Sequence, residues 1–294
     1  MLLAVDLVTR YDELSDRVYA LYEVEAYDEA LEVLRTESTG LEPWRAELAQ
    51  VEACLLAVRG DADEALRVLR EASADGAWWA PEVLADDDDL EALRGRPEFE
   101  ELLAVSGSRA ADDVVPALVD VPDRPRGVVV ALHGAGQTAA HARADWSAVL
   151  DHGYALVCVE SSRRMSPMYR TWPDRAQAAA DIARALVGLP DLDGPVLAAG
   201  FSAGGRAALD WALTATPAPV SGVLALAPAL RELPDAAANP LSPATIWIGT
   251  GDDLREVVDE KAAALTAFGC TIAPIPGLGH AFPDRFGELL ADVL

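Results

Sequence analysis

The chain has 294 residues, 51% of them hydrophobic, and a formal net charge of −26. This composition favours one large or two modest folded domains over disorder. The negative charge argues against binding to nucleic acid or to anionic membranes. No segment approaches the ~20 consecutive apolar residues of a membrane helix, and the N-terminus lacks the basic start and apolar run of a signal peptide. We therefore expect a cytoplasmic protein.

The three cysteines, Cys54, Cys158 and Cys270, are far apart in the sequence and belong to no recognisable metal-binding motif. Their odd number and wide spacing predict neither a disulfide framework nor a zinc site. We expect three small buried side chains and no metal.

Charge and pattern both divide the chain into two domains. Residues 1–108 carry 27 acidic and 9 basic residues, a net charge of −18, whereas residues 109–294 carry a net charge of −8. The first part shows helical periodicity without a strand pattern, and the second alternates short apolar runs with helical stretches. The sequence predicts a helical domain over 1–108 and an α/β domain over 109–294.

The helical part repeats itself. The pattern of residues 27–35 returns at 62–70, which aligns Ala30 with Ala65. This repeat resembles the tetratricopeptide repeat, a helix pair of ~34 residues. The resemblance implies that both alanines lie where helices touch closely and that Gly60 lies in a turn. It also implies a possible peptide or protein partner for this domain.

Four consecutive aspartates stand at residues 86–89. We interpret them as a solvated loop and helix N-terminus, where negative charge suits the helix dipole. A calcium site is the alternative, but the ligand spacing of an EF-hand loop is absent.

Residues 109–294 predict a doubly wound, mostly parallel sheet of the α/β class. Nearly continuous apolar runs alternate with helical patterns, as expected when helices cover both faces of a parallel sheet. Helices are predicted, for example, at 175–189, 203–214 and 256–268. The predicted strands are 117–121, 127–132, 154–160, 195–199, 220–226, 245–250 and 270–275.

The strongest local signal is the sequence Gly-Phe-Ser-Ala-Gly at residues 200–204, between a predicted strand and a predicted helix. In a tight strand-to-helix turn, a serine is held with its hydroxyl exposed at the carboxyl edge of the sheet, and the flanking glycines permit the close approach of neighbouring backbone. The pattern predicts Ser202 as a nucleophile.

A serine nucleophile needs a base and an acid that orients the base. His280 follows the last predicted strand in a glycine-rich loop, and Asp252 follows the strand before it. A carboxylate there can fix the imidazole tautomer and stabilise the imidazolium. The order Ser202, Asp252, His280 is the one expected for this arrangement. Asp253 is the rival for the acid, although it could instead cap the next helix.

An oxyanion hole is predicted in the small-residue loop 133–137. The backbone N–H of Ala135 would pair there with that of Ala203, the residue after the nucleophile. His133 directly follows a predicted strand, and we expect it to brace the loop and to take no part in proton transfer.

These four ordered motifs resemble the α/β-hydrolase superfamily, in particular its dienelactone-hydrolase and phospholipase/carboxylesterase branch. The resemblance covers roughly residues 115–294. It implies hydrolysis of a small-molecule ester or thioester through an acyl-enzyme, without metal or organic cofactor. The stretch from Pro228 to Ser242 is too short for a cap domain, so the resemblance implies an open cleft or one covered by the helical part.

The loop 161–172 is expected above the active site, because such loops leave the carboxyl edge of the sheet. We expect Met165, Tyr169 or Trp172 to line the substrate pocket. The alternative for Trp172 is that it anchors the following helix. The same stretch holds a basic cluster, which would bind an anionic substrate or face the acidic helical part; its members are Arg163, Arg164, Arg170 and Arg175.

Two other functions stay open on the sequence. A peptidase of the same superfamily would carry the same motifs. Alternatively, the tetratricopeptide-like part binds a peptide and the hydrolase part is only a scaffold. An intact set of catalytic residues argues against that last interpretation.

Overall fold

The computed structural model describes residues 2–187, 189 and 194–294, with side chains from residue 7 onward. It divides into two compact units, Met1–Ala111 with Arg164–Tyr169, and Asp112–Arg163 with Arg170–Leu294. The sequence prediction instead has one boundary, between residues 108 and 109. Residues 164–169 belong to the predicted α/β domain in the sequence, yet they pack with the helical unit.

The regular elements among the described residues of the first unit are all helices, as the sequence predicts. Ala30 and Ala65 are both fully buried, and Gly60 has a φ of +90° in the turn between the third and fourth helices. The tetratricopeptide character stays a prediction. The helices are α1 (Leu2–Glu23), α2 (Tyr27–Glu37), α3 (Arg45–Val58), α4 (Ala62–Ala74), α5 (Pro81–Ala85) and α6 (Pro97–Arg109), with 3-10 turns at Glu42–Trp44 and Asp88–Leu93.

The second unit is built on a seven-stranded sheet in the order β1-β3-β2-β4-β5-β6-β7. Only β1 is antiparallel to its neighbour, and the other pairings are parallel. The doubly wound, mostly parallel sheet predicted from the sequence is therefore confirmed. The strands are β1 (Leu118–Asp120), β2 (Val128–Leu132), β3 (Ala155–Val159), β4 (Val196–Phe201), β5 (Gly222–Leu226), β6 (Ala244–Gly249) and β7 (Thr271–Ile275).

The central strands form the core of this unit. Every residue of β2, β3, β5 and β6 is buried, whereas the edge strands β1 and β7 are partly exposed. This burial explains why the central strands read as unbroken apolar runs. The helices of this unit are α7 (Ala139–Asp145), α8 (Arg175–Val187), α9 (Ser202–Thr214), α10 (Arg255–Ala267) and α11 (Phe286–Ala291).

The strand order reverses between β2 and β4. From β2 the chain moves outward to β3 and then returns to the other side of β2 to form β4. Loops that leave the carboxyl ends of two such strands diverge and open a crevice, where α/β proteins bind ligands. The predicted oxyanion loop follows β2, and Ser202 follows β4.

Two further features bear on the sequence predictions. Residues 227–243, all described, contain neither helix nor strand, in agreement with the predicted lack of a cap domain after β5. None of the helices in the described part of the chain combines the length and hydrophobicity that a membrane crossing requires.

Candidate active site

Ser202 lies at the sharp turn from β4 into α9, with a φ of +52°. This left-handed conformation is unfavourable for a residue with a side chain, at roughly 1–3 kcal/mol, and persists only where the surroundings enforce it. Here the close packing enforces it. A Cβ on Gly200 would lie 2.3 Å from the Gly204 oxygen, and a Cβ on Gly204 would lie 2.2 Å from the Leu132 oxygen. Gly200 is therefore required by close contact within the turn, and Gly204 by contact between the turn and the end of β2.

The structure brings Ser202, His280 and Asp252 together. The Ser202 Oγ is 3.0 Å from His280 Nε2, and His280 Nδ1 is 3.0 Å from Asp252 Oδ2. The Asp252 side chain is fully buried, while that of His280 is 36% exposed. Asp253, the rival acid of the sequence analysis, is exposed. Of the two adjacent carboxylates, Asp252 is thus the one that contacts the imidazole.

Hydrogen bonds from two backbone N–H groups position the acid and the loop that carries the histidine. The Leu254 N–H donates to Asp252 Oδ1 at 2.8 Å, so the carboxylate has a partner on each oxygen. The Gly277 N–H donates to Thr250 Oγ1 at 2.8 Å, which joins the loop after β6 to the loop that carries His280. These bonds leave the acid little freedom to turn away from His280.

The predicted oxyanion loop after β2 is a tight turn. The Gly134 N–H donates to Gln137 Oε1 at 2.8 Å, and the Gly136 N–H donates to the Arg170 carbonyl at 2.9 Å. Between them, the Ala135 N–H has no hydrogen-bond partner among the described residues, and Ala135 is exposed. Ala203 is the second residue of α9. Its N–H is therefore one of the first four of the helix, which have no intrahelical acceptor.

His133 is buried and braces this loop. Its Nδ1–H donates to the Gly134 carbonyl at 2.7 Å, and its Nε2 accepts from the Ser161 N–H at 3.2 Å. This pair of bonds requires the neutral ring, and burial lowers the pKa of His133 to about 4. A neutral imidazole with both nitrogens engaged is suited to support, as the sequence indicated.

The three predicted pocket residues have different environments. Trp172 is 2% exposed, and its indole N–H donates to the His133 carbonyl at 2.8 Å. Such burial favours a supporting role, and the pocket role of Trp172 stays a prediction. Met165 is buried and Tyr169 is partly exposed, and both belong to the helical unit.

Sequence reasoning missed Gln137 and Arg170 as supports of the loop. Arg170 is 8% exposed and pairs with Glu160 and Asp113, each at 3.0 Å, while its carbonyl holds Gly136. The four arginines of the basic cluster have separate partners, and the role of the cluster stays a prediction. The position of Gln137 at the end of the small-residue loop was the one available signal, since an amide there can accept from the loop backbone.

Comparisons with known proteins agree with this architecture. Residues 10–114 match the family described as A/B hydrolase-like, N-terminal domain. An uncharacterized protein from Bacillus cereus has a similar structure, with 24% sequence identity, a TM-score of 0.50 and coverage of 96% of each chain. The chain has the α/β-hydrolase fold. The resemblance predicted from the sequence is confirmed at this level, with a helical domain before the sheet.

Other solved structures match about three fifths of the chain. Esterase PE8 is 23% identical, with 62% of this chain and 99% of that chain covered and a TM-score of 0.47. Acyl-protein thioesterase 2 from Zea mays is 20% identical, with 60% of this chain and 97% of that chain covered and a TM-score of 0.46. No curated protein sequence matches the chain.

Proposed function

We propose that this protein is a serine hydrolase that cleaves a carboxylic ester or thioester of a small molecule through an acyl-enzyme. The observation that carries the proposal is the continuous hydrogen-bonded series from Ser202 Oγ through His280 to Asp252. Each distance lies within the range for proton transfer or for orientation of a base.

In the first half-reaction, Ser202 Oγ attacks the carbonyl carbon of the substrate and its proton passes to His280 Nε2. Asp252 holds the Nδ1–H and stabilises the imidazolium that forms. The N–H groups of Ala135 and Ala203 donate hydrogen bonds to the carbonyl oxygen and stabilise its negative charge. When the tetrahedral intermediate collapses, the carbon–oxygen or carbon–sulfur bond breaks and His280 gives its proton to the leaving group.

In the second half-reaction, His280 removes a proton from a water molecule as that water attacks the carbonyl carbon of the acyl-enzyme. The acid product leaves, and the proton returns to Ser202 Oγ. None of these steps requires a metal or an organic cofactor. The exposure of His280, 36% of its side chain, is compatible with the entry of water.

A fluorophosphonate reagent tests the proposal directly. It should label the natural protein on Ser202 and should not label Ser202→Ala. Ser221→Ala is the matched control, since Ser221 is an exposed serine of the same unit outside the series, and it should label normally. Absence of labelling in the natural protein would contradict the proposal.

A pair of substrate series then separates ester from amide cleavage. p-Nitrophenyl esters of increasing acyl length should be hydrolysed, and aminoacyl p-nitroanilides should not. Faster turnover of the nitroanilides would favour the peptidase, since an amine leaving group needs more effective protonation than a phenol does.

A further inference from the structure

The helical unit contains a cavity of about 530 Å³. It lies between α1 and α3 and is closed in part by Asp87, Asp89 and Tyr169, all residues of the same unit. The volume is typical of sites for small organic molecules, roughly 300–1,000 Å³. A single metal ion would fill only a small part of it.

The wall of this cavity combines aromatic rings with acidic groups. Its tyrosines are Tyr11, Tyr19, Tyr22 and Tyr169. Its three carboxylates are accompanied by no arginine, lysine or histidine among the described residues that line the cavity. Aromatic faces and uncompensated negative charge both favour a bound cation.

Glu47 carries a carboxylate oxygen in this wall that has no hydrogen-bond partner among the described residues. It is 7% exposed, and its Oε1 accepts from the Ser166 hydroxyl and from the Met168 N–H. Its Oε2 is buried and has no hydrogen-bond partner among the described residues. Burial raises the pKa of Glu47, and its hydrogen bonds offset that rise only in part. A buried oxygen of this kind is stabilised when a ligand brings a donor to it.

The two aspartates differ from Glu47 because each of their carboxylate oxygens has a partner within the unit. The Tyr22 hydroxyl lies 2.9 Å from the carboxylate oxygens of Asp89, and Gln50 donates to Asp87 at 3.1 Å. Cys54 also contacts Asp87, and these three side chains, Cys54 with both aspartates, are close enough to share a metal. Burial and the nearby carboxylate of Asp87 raise the pKa of the Cys54 thiol, which opposes the thiolate that a metal would need. Glu47 is therefore the carboxylate of this wall that keeps an oxygen without a partner among the described residues.

We propose that this cavity binds a small organic ammonium compound with an apolar stem. Its N–H group donates to Glu47 Oε2, and its stem packs against Tyr11, Tyr22 and the leucines of the wall. The orphan oxygen favours a ligand that carries a donor, and the carboxylates of the wall favour a cation, so a primary ammonium suits this site better than a quaternary one. The volume of the cavity suits a free small molecule.

Calorimetric titration of the full chain with three matched probes tests this. Phenethylamine carries the N–H cation, 2-phenylethanol is its neutral counterpart, and phenethyltrimethylammonium is a cation without N–H. Phenethylamine should bind at least tenfold more tightly than either of the others. Equal affinity for the amine and the alcohol, or no binding of the amine, would overturn the proposal.

Two variants locate the site. Glu47→Gln should weaken phenethylamine binding at least tenfold and leave 2-phenylethanol unaffected. The control Glu52→Gln lies on the same helix outside the cavity, where Glu52 pairs with Arg35 at 2.7 Å, and it should change neither affinity. If Glu47→Gln does not fold, Asp89→Asn should weaken amine binding at least threefold. Unchanged amine binding in the folded variant would overturn the proposal.

A peptide arm distinguishes the source of the cation. Acetyl-Gly-Lys-Gly-amide presents the same ammonium group on a peptide. Weaker binding of this peptide than of phenethylamine supports a free small molecule. Tighter binding would overturn that assignment in favour of a lysine side chain from a peptide.

Discussion

Each unit has a buried carboxylate at its proposed site, and the two differ in how many of their oxygens are hydrogen-bonded. Asp252 has a partner on each oxygen, His280 on one and the Leu254 N–H on the other. Glu47 has both of its partners on Oε1 and none on Oε2 among the described residues. A carboxylate whose two oxygens are both hydrogen-bonded within the chain is already satisfied. A carboxylate with one oxygen free can still accept a hydrogen bond from a ligand.

The largest expected effect concerns Asp252. Asp252→Asn should lower kcat on model esters by a factor on the order of 10⁴, because an amide cannot hold the correct tautomer or stabilise the imidazolium. Asp253→Asn is the matched control and should change kcat less than threefold, since Asp253 is exposed. A larger loss of kcat in Asp253→Asn than in Asp252→Asn would contradict the assignment of Asp252 as the acid.

The next effect concerns pH and His133. Burial lowers its pKa from 6.5 to about 4, so the folded protein binds its proton less readily than the unfolded chain does. The contribution of His133 to the free energy of unfolding is complete above pH 6.5 and is lost as the pH falls from 6.5 to about 4. The total loss is about 3 kcal/mol.

Ring ¹⁵N shifts can check this without any substitution. The His133 ring should keep the shifts of the neutral Nδ1–H tautomer down to about pH 5. Titration near pH 6.5 would show that its two hydrogen bonds do not fix the neutral form.

A pair of glycine substitutions compares the packing of the units. Gly204→Ala places a Cβ 2.2 Å from a backbone oxygen and should destabilise the fold by about 1–3 kcal/mol, with loss of esterase activity. Gly60→Ala meets nothing within 4 Å, and only its φ of +90° is strained. It should cost about 1 kcal/mol without affecting kcat. Thermal melts and ester assays measure both, and equal losses of activity would contradict the comparison.

The smallest effect is the pH dependence of Glu47. Its pKa is raised above 4.5 by burial, so its contribution to stability is present below that pH and is lost as pH rises through the folded pKa. Hydrogen exchange in α3 of the natural protein should accelerate over this window relative to Glu47→Gln. Parallel pH profiles in the two proteins would show that the Glu47 carboxyl is not strained by burial.

Much of the candidate site could be predicted because its parts are local. The turn at residues 200–204 combines a strand end, two glycines and a helix start within a few residues, and sequence patterns report such local features well. Ser202, Asp252 and His280 could each be placed after a strand. Parallel strands bring their carboxyl ends to one edge, so the three had to lie near one another.

The preference for Asp252 over Asp253 had less support in the sequence. Adjacent residues share almost the same local sequence, and only the direction of the chain after β6 turns one inward and the other outward. Trp172 shows the same limit, because its burial depends on a contact with His133, 39 residues earlier in the chain.

By itself, the amino-acid sequence determined the helical and α/β regions, the seven strands and the turn that presents Ser202, because periodicity and glycine placement act over short distances. Only the tertiary structure decided that residues 164–169 pack with the helical unit. It alone also decided that Glu47 Oε2, beside a cavity, has no partner among the described residues. Both facts depend on side chains distant in sequence, such as Glu47 and Ser166, which meet only when the chain is folded.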